Sequence, residues 1–112
     1  MIDSYEFGII VIKGKSYSSD VIVYPEWVND KWWRKEGHLL LPEDLTRVIE
    51  EHPDVLVVGT GNPGLMKVPQ NTRSWLESKE IEVKVQPTQE ACLSYNHFVT
   101  KRKTIAVLHL TC

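Results

Sequence analysis

The chain has 112 residues, 42% of them hydrophobic and 25% charged, and a formal net charge of −2 at pH 7. That is the length of one globular domain (1–112), able to bury a core without disulfide staples, and its charge gives general nucleic-acid binding no support. No apolar run reaches the length of a membrane span, and Met1-Ile2-Asp3-Ser4-Tyr5-Glu6 carries an early acid with no basic or Arg-rich leader pattern, so a cytoplasmic protein is expected.

The β-branched run Phe7-Gly8-Ile9-Ile10-Val11-Ile12 predicts a strand, Lys13-Gly14-Lys15-Ser16 is turn material, and Tyr17 with Asp20-Val21-Ile22-Val23-Tyr24 predicts a second strand. Together they suggest an antiparallel pair that Pro25 ends. The segment from Glu26 to Gly37 holds Trp27, Trp32 and Trp33, three of the four tryptophans, followed by Arg34-Lys35-Glu36-Gly37-His38. Neither a period of 2 nor one of about 3.6 fits it, so it is expected to be a packed loop. The indoles can simply cover one end of the core. Alternatively, Trp27, Trp32, Trp33, Arg34 and His38 form an interaction surface, because Trp and Arg are enriched at interface hot spots. Base stacking beside Arg34 and Lys35 is disfavoured by the overall charge.

Pro42-Glu43-Asp44 starts a helix with a proline at the first position and two acids near the positive end of the dipole. Leu45, Val48 and Ile49 form its apolar stripe, and Pro53 stops it. Next comes Asp54-Val55-Leu56-Val57-Val58-Gly59-Thr60-Gly61-Asn62-Pro63-Gly64, four branched apolar residues running into a loop with three glycines. Such a strand is apolar on both faces and needs cover on both. In open α/β sheets ligands collect beyond the carboxyl ends of such strands. Gly59, Gly61 and Gly64 match G-x-G-x-x-G, but Pro63 interrupts the motif and the next helix starts only near Pro69. No acid closes the following strand. A structural turn is favoured over a dinucleotide fingerprint, and a small-anion cradle made from loop N–H groups stays open.

A helix over Pro69–Lys79 turns Thr72, Trp75 and Leu76 inward. Ile81-Glu82-Val83-Lys84-Val85 alternates and predicts a half-buried strand near an edge. Thr88 is the expected N-cap of a helix from Gln89 to about Thr100, with Ala91 or Cys92, Tyr95, Phe98 and Val99 inward. Thr104 to Leu110 is the last strand, whose direction the pattern leaves open. The order is ββαβαβαβ.

Several pieces taken as a set resemble one family. They are Trp32-Trp33-Arg34-Lys35-Glu36-Gly37-His38 with Asp44-Leu45, Val57-Val58-Gly59-Thr60-Gly61, Ile81-Glu82-Val83, Thr88 with Ala91-Cys92 and Tyr95-Asn96, and Ile105-Ala106-Val107-Leu108. The family comprises small archaeal and bacterial proteins of unknown function. It has two eukaryotic branches: an adipogenesis-associated protein with this domain, and a mitochondrial respiratory complex I assembly factor. The resemblance implies a three-layer α/β fold around a mixed central sheet. The family that the chain resembles has no settled enzymatic activity, and its assembly-factor branch points to protein–protein contact. Pro87 stands where the family pattern often has Asp, which removes a carboxylate from the presumed loop edge.

Gly59, Thr60, Gly61, Asn62, Thr88, Cys92, Tyr95 and Asn96 form the candidate ligand-binding set, on the expectation that the loop and the third helix share one sheet edge. Cys92 would lie in that helix's first turn, where the dipole lowers a thiol pKa. Its nearest downstream base, His97, lies roughly 140° around the helix at ~100° per residue. A small buried cysteine is the favoured account, and Tyr95 and Asn96 are expected to bond loop backbone. His38, His52, His97 and His109 show no metal-ligand spacing, with His52 and His109 read as structural or solvated. Cys92 and Cys112 make no disulfide framework, and no serine elbow or P-loop lysine is present. No catalytic set, metal or cofactor is therefore expected. The leading expectation is a non-enzymatic interaction or assembly-factor-like module. The rival is a small-molecule or anion-binding protein, with at most weak catalysis through Cys92, whose pocket joins the Gly59–Gly64 loop to the helix carrying that residue. A protein partner, a small anion or metabolite, and a second copy of the chain are the partners compatible with these readings. Membrane and nucleic acid are not expected.

Overall fold

Two tight turns organise the N-terminal part of the computed structural model, which describes all residues, Met1–Cys112. Phe7-Gly8 joins β1 (Ile2–Glu6) to β2 (Ile9–Ile12), and Lys13-Gly14 joins β2 to β3 (Lys15–Tyr17), giving an antiparallel three-stranded sheet. Lys13 and Gly14 both have positive φ, 49° and 80°. That is the type I′ geometry whose twist suits a two-residue hairpin. The expected strand pair is thus a three-stranded sheet. β1 escapes pattern reading because its register shifts between Ile2 and Ser4. The bulge turns Ile2 and Tyr5 to the same buried side although they lie three apart. The expected second strand also divides. Tyr17 stays in this sheet, while Val21–Val23 becomes β4 of another.

That second sheet has the order β5-β4-β8-β6-β7, with β5 at Val28–Asn29, β6 at Val55–Gly59, β7 at Glu82–Gln86 and β8 at Thr104–Leu108. β6 runs parallel to both β7 and β8, whereas β8 runs antiparallel to β4. The sheet is therefore mixed, and the direction of the last strand is settled. Every side chain of β4, β6 and β8 is buried. Alternation divides them between two cores. Val21, Val23, Val55, Val57, Ala106 and Leu108 face one side. Ile22, Leu56, Val58, Ile105 and Val107 face the other.

The first side is covered by the three-stranded sheet and by α3 (Thr88–Val99), through Ala91, Cys92 and Tyr95. The second is covered by α1 (Thr46–Glu50) and α2 (Gln70–Glu77), through Val48 and Leu76. The result is a three-layer α/β arrangement. The helix expected from Pro42 is shorter, a 3-10 turn over Pro42–Leu45 followed by α1. His52, at φ 52°, turns the chain away before Pro53. Thr72 and Leu76 of α2 are fully buried and Trp75 half-buried, as the apolar spacing requires, and β7 is an edge strand. No helix is long and apolar enough to cross a membrane.

Candidate functional site

The Gly59–Gly64 loop is filled by the chain itself. Residues His109–Cys112 continue past β8 and lie across it. The His109 N–H donates to the Gly59 carbonyl at 3.0 Å, the Asn62 N–H to Thr111 at 2.9 Å, and the Leu65 N–H to Cys112 at 2.8 Å. The Gly61 N–H donates to Thr88 Oγ1 at 2.8 Å, and the Gly61 carbonyl accepts from the Thr88 N–H at 3.1 Å. Thr60 sends both its N–H and its hydroxyl to the Gln86 carbonyl. These donors are consumed within the chain, and none of the surface cavities is lined by residues 59–64. The anion cradle expected at Gly59, Thr60, Gly61 and Asn62 is therefore not formed. The glycines serve close packing instead. A Cβ on Gly59 would stand 2.8 Å from both Leu108 Cδ2 and Thr88 Oγ1.

The other members of the candidate ligand set do not converge on the loop, with one exception. Thr88 does join it, though not as an N-cap. It is the first residue of α3, and its hydroxyl donates to the His109 carbonyl at 2.6 Å while accepting from Gly61. Cys92 is buried in the core, where burial pushes its thiol up to about 12. A nucleophile needs the thiolate, so the catalytic role considered for Cys92 has no support. Iodoacetamide at pH 8 is expected to label partly exposed Cys112 and to spare Cys92 until denaturant is added. Mass spectrometry of the labelled cysteines checks this, and native labelling of Cys92 would refute its burial. Tyr95 reaches the Tyr24 carbonyl at 3.3 Å, and burial raises its phenol to about 12, so it stays a protonated donor. Asn96 clamps the outer edge of β1, accepting from the Ile2 N–H and donating to its carbonyl, both at 2.8 Å.

A buried polar cluster that pattern reading did not assemble lies beside the loop. β4 and β8 pair with Val21 opposite Leu108 and Ile22 opposite Val107. One step further along the same antiparallel register brings Asp20 to His109. His109 Nδ1 lies 2.8 Å from Asp20 Oδ2, and Asp20 Oδ1 accepts from the Leu110 N–H at 2.8 Å. Arg34 enters from the tryptophan-rich segment. Its Nη1 stands 2.8 Å from Asp20 Oδ2, and its Nη2 donates to the Gly37 carbonyl at 2.8 Å. The short contact to the carboxylate places the His109 proton on Nδ1. The 3.2 Å approach of Arg34 Nη2 to that nitrogen is then a contact between two donors and no hydrogen bond. The Arg34 and His109 side chains are only 5% and 7% exposed. Burial alone would raise the Asp20 carboxyl, but hydrogen bonds from His109, the Leu110 N–H and Arg34 overcome it and hold the group at about 2.

A carboxylate holding an imidazole is also how general bases are oriented. Here the free Nε2 is buried without a partner, as is Arg34 Nε, and no surface cavity is lined by Asp20, Arg34, His38 or His109. The cluster therefore acts as a pin for the segment that carries the tryptophans. No group of three His, Cys, Asp or Glu side chains is placed to hold a metal ion.

The five residues of the expected interaction surface separate accordingly. Arg34 turns inward. Trp32 is half-buried, donates from Nε1 to the Asp44 carbonyl at 3.1 Å, and carries the Arg34 guanidinium 4.7 Å from its ring. His38 is exposed and meets His109 edge to face, with centroids 5.6 Å apart. Trp27 stacks on Tyr24 at 4.6 Å on a different part of the surface. Trp33 is the more exposed of the two outward tryptophans, at 75% against 51% for Trp27.

The fold is shared with several solved structures. This chain superposes on a conserved hypothetical protein, PH1505, from Pyrococcus horikoshii OT3 with a TM-score of 0.85 and 29% identity, covering 100% of this chain and 99% of the other. A structure described as MT938 gives 0.82 and 28%, over 100% and 98% of the two chains. One described as an outer membrane protein from Bartonella henselae gives 0.83 and 27%, over 99% and 94%. Residues 2–109 match a family described as "Protein of unknown function (DUF498/DUF598)", and the chain belongs to that family.

Proposed function

We propose that this protein is a non-enzymatic interaction module that presents Trp33 to an acidic segment of a partner protein. One observation carries the reading. An irregular segment is held in place by buried ionic contacts, and the side chain it leaves outermost is a tryptophan. Burying Asp20 and Arg34 has a large desolvation cost, and an indole in water gains nothing for the isolated fold. Holding in advance the backbone that carries a large aromatic side chain reduces the entropy lost on binding.

The surroundings of Trp33 give the partner its chemistry. A groove of about 440 Å3 runs beside it, lined by Lys31, Lys35, Arg47 and Glu43 together with Asp44. The Asp44 carboxylate is already engaged by the Leu41 and Lys35 N–H groups. Lys31 and Lys35, with Arg47 paired to Glu50 at 3.6 Å, thus outnumber the Glu43 and Asp44 carboxylates on a chain whose overall charge is negative. Such a face steers acidic partners and repels basic ones.

The test compares the wild type with Trp33→Ala, with Lys31→Glu/Lys35→Glu, and with Leu93→Ala as a control at another exposed apolar side chain. A partner recovered from the native host is identified, purified and titrated. Trp33→Ala and the charge reversal are each expected to weaken binding at least about 10-fold, a hot-spot effect of about 1.4 kcal/mol. Leu93→Ala should leave it unchanged, and all three should keep the folding midpoint. Added salt should weaken the wild-type complex. Equal binding by all four proteins, or a partner whose contact segment is basic, would overturn the reading.

A further inference from the structure

A largely apolar cavity lies away from the Trp33 groove, between the β2–β3 hairpin and the turn that joins β4 to β5. Its volume is about 230 Å3. Its walls include Tyr17, Tyr24, Trp27 and Val28, with Tyr95 at its base and Lys13 and Lys15 at the hairpin side. Tyr24 and Trp27 are stacked face to face within 5° of parallel, so that wall is a rigid aromatic slab. The Tyr95 hydroxyl donates to the Tyr24 carbonyl at 3.3 Å, so its oxygen can still accept a hydrogen bond.

Three observations converge on one ligand class. The first is size. A cavity of about 150 Å3 admits benzene, so 230 Å3 suits a body of about two fused rings. The second is charge. Two lysines face a single carboxylate, Glu26, and the Lys15 Nζ already sits 5.3 Å from the Tyr17 ring centroid. The third is the hairpin turn. Lys13 has a φ of 49°, a left-handed conformation that Asn or Gly adopts more readily at this place in a type I′ loop. A lysine there does nothing for the turn, but it does line the cavity. We propose that this cavity binds a small aromatic carboxylate, with the ring system against the Tyr24–Trp27 slab and the carboxylate at Lys13 and Lys15. This site is independent of the Trp33 face.

The test uses 2-naphthoate as the probe on the full chain, followed by amide chemical shifts. Dissociation constants near about 0.1 mM are the expected scale for a ligand of this size. Shifts should cluster at Tyr17, Tyr24, Trp27, Val28 and Tyr95. The neutral analogue 2-naphthylmethanol should bind at least about 10-fold more weakly, as should Lys13→Asn/Lys15→Asn with 2-naphthoate. Asn suits the turn at position 13 and position 15 is an exposed site on the edge strand β3, so that variant should stay close to the wild type in thermal midpoint, which separates loss of the site from loss of the fold. Absence of shifts up to the solubility limit of the probe would overturn the proposal. So would shifts centred elsewhere, equal affinity for the neutral analogue, or an unaffected lysine variant. Loss of Trp33-dependent partner binding would leave these shifts in place, so the two proposals fail separately.

Discussion

Replacing Arg34 with methionine is expected to destabilise the fold by about 3 kcal/mol, a large share of the stability of a domain this size. The methionine fills much of the same volume, so the loss is electrostatic. It leaves the Asp20 carboxylate, only 20% exposed, without its guanidinium, and the Gly37 carbonyl without a donor. His109 and the Leu110 N–H still serve Asp20, which keeps the loss at the lower end for a broken buried pair. Asp20→Asn should cost a similar amount, and the double variant should cost clearly less than the sum, because two residues of one network are coupled. Urea unfolding of all four proteins measures this. An additive cycle would show that the pair is not a unit.

The same carboxylate sets a pH dependence. Its pKa is depressed from about 3.8 to about 2, so its contribution to stability is fully present above about 3.8 and is lost as the pH falls through about 2. The shift corresponds to about 2 kcal/mol. The wild type should therefore lose stability relative to Asp20→Asn between pH 4 and pH 2, and the two curves should run parallel above pH 5. Parallel curves through the acid window would contradict the role given to Asp20.

Gly61→Ala is expected to cost about 3 kcal/mol as well, for a steric reason. Gly61 has a φ of 104°, and an added Cβ would overlap the Thr111 carbonyl oxygen and stand 2.8 Å from His109 Cδ2 and 3.0 Å from the Cys112 carbonyl. To admit the methyl group, the 109–112 segment must lift, breaking its bonds from the Asn62 and Leu65 N–H groups. Gly8→Ala is the control. Gly8 also has positive φ, at 82°, but a Cβ there would meet nothing within 4 Å. It should cost only about 1 kcal/mol. Amide exchange should speed up at Asn62 and Leu65 in Gly61→Ala alone. Equal effects of the two substitutions would mean that the C-terminal segment is not packed on the loop.

Much of the architecture is written in local pattern. The all-apolar runs of β6 and β8 require cover on both faces, and both faces are covered. The apolar spacing of α2 and α3 picks out Thr72, Leu76, Tyr95 and one of Ala91 and Cys92 as buried, because a helix of period 3.6 has one inward stripe, and in the fold both Ala91 and Cys92 are buried. The family is legible too, since short motifs spread along nearly the whole chain are specific as a set. A strand whose bulge breaks the alternation, such as β1, carries no such signal and escapes a reading of pattern alone.

What the sequence by itself determined is therefore the need for cover on both faces of the central strands, the inward faces of the helices and the presence of a glycine turn after β6. What only the tertiary structure decided is which polar residues meet. Asp20 and His109 each stand at the end of an apolar strand run, which is the one local hint that they are held inside. They become partners only through the antiparallel register of β4 and β8, and Arg34 joins them from an irregular segment with no period at all. The same is true of the loop. Its glycines look like a cradle until the 109–112 segment is laid across them. Hydrophobic burial follows a residue's own neighbours along the chain. Pairing of charges and filling of a loop depend on residues as many as 89 positions apart, and no local pattern encodes that distance.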